Sequence, residues 1–442
     1  MRERLAALGQ AMRVPDIRKR IIFLMAMFGV YVGCAHVPLP GIDKVALENM
    51  FRATGDIGNL LDAFSGGSLK RFSILALGIM PYISASIIIQ LLAMAIPALE
   101  ELQKEGEYGR RKINAWTKYL TIGVALLQSL GMLAVFRGAF LGNTMLMFYV
   151  VLMMVGGTAF LMWIADMITE HGIGQGVSII IFAGIVTSMP QDIAQTIRLW
   201  QGGEIGVANI AFLAAIMLVT IYLIVKFQQA QRKIPVQYAR RVRGHRVYGG
   251  QSSYLPLRVN QAGVMPIIFA ISVAMFPAQI AGALTAPGPV GKISSFLNVS
   301  EEAVSRAMFS MRQFFSPGEN HFASMLYFLL VILFTYFYTA VTFNPEQIAE
   351  NLQKNGGAIP GIRPGSSTRD YLDKILYRIT LAGALFLGII ALMQYYVGDI
   401  TGVTTFTLVG GTSLLIVVGV ALDTMQQIEA QLLMRHYRGF LK

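Results

Sequence analysis

The sequence predicts an all-α polytopic membrane protein of ten transmembrane helices, and three observations carry that expectation. The 442 residues are 55% hydrophobic and only 14% charged, where ordinary globular domains carry about 25% charged residues. Breaking the chain at every Asp, Glu, Lys and Arg leaves ten uncharged windows of 18 residues or more. Each is long enough for the roughly 20 residues a helix needs to cross the hydrocarbon core. The third observation is that Lys and Arg are shared very unequally between the two sets of connecting segments.

In chain order the windows are 21–42, 72–99, 119–136, 138–165, 171–191, 205–225, 259–291, 320–345, 379–398 and 400–422. Two of them exceed what a span needs, so their helices are expected at 262–284 and 323–343 with loop at the ends. The next window, 57–69, has 13 residues and is too short to span. Ten crossings put both termini on one side, and the segments on that side hold 27 of the 36 Lys and Arg, against 9 opposite. The positive-inside rule makes both termini cytoplasmic. The first window follows Arg18-Lys19-Arg20 as a signal peptide would, but it runs into Val37-Pro-Leu-Pro40 without a small-residue cleavage site, so it reads as a retained helix. The single cysteine, Cys34, rules out an intrachain disulfide and reads as packing.

Ten spans divide into halves of five, 1–200 and 201–442. An odd number of helices per half requires any internal repeat to be inverted. The halves share no convincing identity, so this expectation rests on parity. The long inner connections lie at about 226–261 and 344–375, and a long outer one at 285–322.

Two features separate the chain from a plain bundle. Ile57-Gly-Asn-Leu-Leu-Asp-Ala-Phe64 is apolar enough to enter a membrane, and Ser65-Gly66-Gly67 follows it as a hinge. Irregular backbone at membrane depth is tolerated only inside protein or along a water-filled cavity. The segment is thus either a re-entrant half-helix in a channel or an interfacial helix on the outer surface. The second feature is the inner loop Lys226 to Arg258, which carries eight basic residues, Arg240, Arg241, Arg243, Arg246 and Arg258 among them, and no carboxylate. A topology-setting charge run or contact with anionic lipid headgroups would account for it. The interleaved Tyr238, Tyr248 and Tyr254 and the length of the loop also suit a large anionic partner such as ribosomal RNA.

The spans contain no Asp, Glu, Lys or Arg, whereas a coupled transporter places its relays and ion ligands there. Polar residues within them are hydroxyls and amides, including Ser84, Ser86, Gln90, Gln128, Ser129 and Ser272. Gly172-Ile-Gly-Gln-Gly176 has the look of a nucleotide loop but lacks a preceding strand, so it reads as a turn. No Walker motif, paired catalytic carboxylates or Ser/His pair is present. A secondary transporter with an uncharged substrate site is the runner-up reading, and an intramembrane enzyme the third.

Several runs resemble the SecY family. They are Pro38-Leu-Pro-Gly-Ile-Asp43, the stretch from Ser65 through Gly78-Ile-Met-Pro-Tyr82 to Gln90, Lys104-Glu-Gly-Glu-Tyr-Gly-Arg-Arg-Lys112 and Gly172 to Ile185. Further along come Gln251-Ser-Ser-Tyr-Leu-Pro-Leu-Arg-Val-Asn260, Phe343-Asn-Pro345, Pro360-Gly-Ile-Arg-Pro-Gly365 and Gly410-Gly-Thr-Ser-Leu-Leu-Ile-Val417. The resemblance is weakest in the outer loop 285–322 and at the extreme termini.

The resemblance implies the pore-forming subunit of the Sec protein translocase in a bacterial inner membrane, not an enzyme and with no cofactor. It implies an aliphatic pore ring of Ile79, Ile83, Ile181, Ile185, Ile268 and Ile416. A plug at about 57–70 would include Ile57, Leu60, Leu61, Phe64, Ser65, Gly66 and Gly67. A lateral gate between the second and third helices and the seventh and eighth would carry Gln90, Gln128 and Ser272. Arg240, Arg241, Arg243, Arg246, Arg258 and Arg363 would dock the ribosome or the SecA motor ATPase. SecE and SecG subunits, secretory and membrane protein clients and membrane lipid complete the implied partners.

Overall fold

The computed structural model describes residues 14–43, 45–47, 62, 65–141, 144–238, 241–243, 246–248, 252–284, 295, 300–315, 317–318, 320–403 and 411–439. Helices occupy all ten uncharged windows: α1 (Pro15–Ala35), α2 (Met80–Ala95), α4 (Glu107–Val135), α5 (Thr144–His171), α6 (Gly176–Gln201), α7 (Val207–Gln229), α8 (Met265–Leu284), α10 (His321–Thr342), α12 (Ser366–Thr401) and α13 (Thr412–Gly439). The short helices α3 (Pro97–Lys104), α9 (Glu301–Phe314) and α11 (Pro345–Lys354) lie between them. Among the described residues, six helices are individually long and apolar enough to cross a membrane: α5, α6, α7, α10, α12 and α13. The bent pair α2–α3 makes a seventh, and α8 contributes a shorter apolar helix. α1 and α4 fall outside that set; each carries basic residues near its start, Arg18-Lys19-Arg20 and Arg110-Arg111-Lys112.

The breaks follow local chemistry. Pro97 keeps Ile96 extended, with φ −111° and ψ 112°, and the chain turns by 108° between α2 and α3. The side-chain oxygen of Asn320 accepts from the Phe322 N–H at 2.9 Å to open α10, and Asn344 caps α11 in the same way. α12 has 36 residues, about 54 Å at the helical rise, so it continues well past the bilayer.

The second window is only partly helical. Residues 65–79 run in successive turns before α2 begins, and they are held against the segment that follows α1. Leu39 N–H donates to Phe72 O at 2.9 Å and Ile74 N–H to Val37 O at 3.1 Å. Phe72 is fully buried edge-on to Phe136 and Phe140, at 5.7 and 5.5 Å between ring centres. Of the expected plug, Ile57, Leu60, Leu61 and Phe64 lie outside the described residues.

The long loop between α7 and α8 departs from the all-α expectation. It forms β1 (Gln231–Tyr238), β2 (Arg241–Arg243), β3 (Arg246–Tyr248) and β4 (Ser252–Arg258), with β5 at Gly357–Ala358. β1 pairs antiparallel with β4, Gln231 opposite Arg258, and with β5, Gln237 opposite Ala358. One sheet therefore joins the loops 226–261 and 344–375. Ile234, Leu257, Ile359, Leu372 and Ile375 bury its apolar side against α12.

Candidate functional site

Ile83 and Ile79, the residue that opens α2, lie four apart, as do Ile181 and Ile185 of α6. That spacing puts each pair on one helix face. Ile268 stands one turn into α8 and Ile416 one turn into α13. All six are buried, between 1% and 3% exposed, and they belong to a single apolar cluster. The cluster draws on both halves of the chain because α13 packs on α6, and α8 touches α2 and α4. Tyr31, Leu75, Ile87 and Ile164 are among its many other members; nothing local distinguishes these residues from other apolar positions in spans.

Beside this cluster, α2, α4, α5 and α6 enclose a cavity of ≈ 200 Å³. Its lining includes Ile79, Tyr82, Asn114, Lys118, Asp166 and Gln175, and Lys118 Nζ lies 2.5 Å from Asp166 Oδ2.

On the other side, the turns at 65–70 dock on α6. Tyr31 Oη donates to Ser65 O at 3.2 Å, and Ser65 Oγ donates to Asp62 O at 2.9 Å. Asp62 is buried; its Oδ1 accepts from the Lys70 N–H at 2.8 Å and its Oδ2 lies 3.7 Å from Lys70 Nζ. Burial pushes the Asp62 carboxyl up from the usual carboxylate range, against the pull of Lys70 and Arg71. Asp62 and its α6 neighbour Asp192 escaped the sequence reading. A lone carboxylate inside an otherwise apolar 57–64 run was the available signal.

The three lateral-gate candidates stand on helices that meet. α8 packs broadly on α10 and, along a narrower seam, on α2 and α4. Gln90 Nε2 donates to Ser86 Oγ at 3.1 Å, and Ser272 Oγ donates to Ile268 O at 2.8 Å, both within their own helices. Gln128 is half-buried on α4.

The basic residues separate into two kinds. Arg241, Arg243 and Arg246 lie on the β2–β3 hairpin, with Arg243 opposite Arg246, and Arg363 is exposed before α12. Arg240 lies outside the described residues. Arg258 instead ties the sheet to α13: its Nη2 donates to Gln426 Oε1 at 2.8 Å and its Nη1 lies 3.7 Å from Asp423 Oδ1.

The SecY family profile matches residues 73–425. The chain belongs to the SecY family. It is 42% identical over 447 aligned positions to a protein translocase subunit SecY of Thermus thermophilus, covering 99% of this chain and 98% of that one. It is 43% identical to that of Bacillus subtilis, covering 98% of each. Solved structures share the fold of this SecY-family chain. A protein-conducting channel superposes with a TM-score of 0.64 at 18% identity, covering 93% and 92% of the two chains. Sec61 from a canine ribosome-channel complex superposes at 0.58 and 16%, covering 93% and 92%.

Proposed function

We propose that this chain is the central pore-forming subunit of a bacterial Sec translocation channel, passing unfolded polypeptides across the membrane and releasing hydrophobic segments sideways into lipid. The observation that carries the reading is the joint burial of Ile79, Ile83, Ile181, Ile185, Ile268 and Ile416, drawn from four chain-distant elements into one cluster. A narrow aliphatic constriction disfavours water, so it blocks hydrated ions while still yielding around a passing chain. The segment leading from Ser65 into α2 would close the outer side as a plug, and the narrow seam of α8 with α2 and α4 would be the lateral gate.

The division at about residue 200 gives the two halves that open against each other. Both termini, the three-stranded sheet and the β2–β3 pair face the cytoplasm in this reading, in keeping with 27 of 36 basic residues on that side. The β2–β3 arginines and Arg363 present positive charge to a ribosome or to the SecA motor, which would supply the energy for transport. SecE and SecG would complete the assembly.

The test is a stalled secretory nascent chain in inner-membrane vesicles, with photoreactive probes at Ile83 and Ile185 and a control probe at Leu127, which is 70% exposed on α4. Crosslinks at both isoleucines and none at Leu127 are expected. Equal labelling of all three, or labelling by a small solute in place of the polypeptide, overturns the reading.

A further inference from the structure

α9 has an apolar side that the chain covers only in part. The helix packs along α8. Val304 is buried there, and Phe315, just past the helix end, packs against the main apolar cluster. Next to that inward edge, Ala303, Ala307, Met311 and Phe314 follow one another at intervals of four and three, so they share a face. Ala307, Met311 and Phe314 on it are exposed. Glu302, Arg306 and Gln313 occupy the far side, where Arg306 Nη2 lies 3.6 Å from Glu302 Oε2. Phe309, also exposed, falls with these polar residues.

The exposed stripe does not stop at the end of α9. The Phe314 ring stacks on that of Phe322, with 4.8 Å between centres and 27° between planes. Phe322 in turn begins a second stripe, Phe322, Met325, Leu329 and Leu333, which lies along one face of α10 and is between 50% and 64% exposed at every position. Because α10 is long and apolar enough to cross a membrane, such a face meets hydrocarbon. α9 widens that surface at the end of α8 and α10 away from the sheet, since β4 leads into the opposite end of α8 and α10 begins just after α9.

We propose that α9 is a membrane-anchoring helix: its Ala303, Ala307, Met311 and Phe314 side lies among lipid acyl chains at the membrane surface opposite the sheet, with Glu302, Arg306 and Gln313 in headgroup water. The lipid contact rests on α10 crossing the bilayer; naming the surface as the outer one rests on the orientation proposed above. Charge decides what holds the helix there. Glu301 and Glu302 balance Arg306 and Arg312, so α9 brings no net charge to attract anionic headgroups. Apolar burial must supply the attachment. Insertion is therefore indifferent to salt and to the anionic lipid fraction, unlike that of a polybasic segment. The anchor ties α8 and α10, which pack on each other, to lipid on one side of the proposed gate.

The experiment places a bimane-labelled cysteine by Ala307→Cys, Met311→Cys, Phe314→Cys or, on the polar side, Gln313→Cys, in the full channel complex with Cys34 replaced. Each is reconstituted in nanodiscs whose lipid carries a nitroxide near the carbonyl end of one acyl chain, and iodide serves as the aqueous quencher. The three stripe probes are expected to emit further to the blue and to be quenched by the nitroxide on the order of threefold more than Gln313→Cys, as follows from a face at the acyl boundary. Iodide should show the reverse order. Where Phe314→Cys fails to assemble because its stack on Phe322 is lost, Ala307→Cys and Met311→Cys decide. Protection of the stripe from both quenchers, which a protein subunit lying over it would give, overturns the proposal. Iodide access equal to that of Gln313→Cys overturns it too, as does nitroxide quenching that requires anionic lipid or fades with salt. Orientation is read separately: in inverted inner-membrane vesicles, externally added iodide should leave Gln313→Cys untouched. Quenching there overturns the outer placement and retains the lipid contact, while absent crosslinks at Ile83 and Ile185 bear on the channel reading alone.

Discussion

An isoleucine in a membrane span is unremarkable until its neighbours are known, and the six at the waist owe their interest to company. Each is almost fully buried, yet only two pairs share a helix. Replacing Ile83 and Ile416 with Asn separates a pore lining from an ordinary core. At a constriction the amides wet the waist, so resting conductance should rise and weak signal sequences should pass, with normal membrane abundance. In a plain core the same amides would be buried without partners, costing roughly 1–3 kcal/mol each. Poor accumulation without leak would follow. Planar-bilayer conductance recorded beside abundance distinguishes the two. Gly66 makes the same point about contact in miniature: its positive φ and its approach to Tyr31 and Gly184 leave no room for a side chain.

At the scale of elements, the sheet is the clearest addition to a helical plan. Strand pairing of β1 with both β4 and β5 binds the loops 226–261 and 344–375 together, while Arg258 anchors the sheet to α13 through Gln426 and Asp423. Arg258 therefore differs in role from the hairpin arginines. Arg243→Glu with Arg240→Glu, or Arg363→Glu alone, should weaken partner binding and export at unchanged abundance; for the exposed Arg363 the charge contributes little to stability. The binding that remains should fall further as salt is raised, since screening acts on attraction between exposed charges. Binding titrations at two salt concentrations check this; unaltered affinity and export would remove the docking role. The sheet was hard to read in advance because Pro235 and Pro256 sit within β1 and β4, and an internal proline argues against a strand. Ile234 and Val236 nonetheless alternate inward, and the sheet is small enough for its edges to tolerate the missing donors.

For the whole molecule, orientation is the property on which every functional statement depends. Single cysteines at Gly244 and Gly365, in a background with Cys34 replaced, should react with a membrane-impermeant thiol reagent only when the cytoplasmic face is exposed. Reaction from the outside in intact cells would invert the topology and put the arginine-bearing hairpin on the wrong side for a ribosome or motor. The sequence by itself determined the ten helices, their approximate ends and the charge asymmetry, because the bilayer imposes a local rule: every span must be long and apolar, whatever it packs against. It also marked the 57–67 segment as exceptional from its length alone. Only the tertiary structure decided that isoleucines from α2, α6, α8 and α13 share one cluster, that Arg258 reaches Asp423, and that Lys70 reaches the buried Asp62. Those are contacts between residues far apart in the chain, and apolar spans of similar composition carry no local signal of which faces meet.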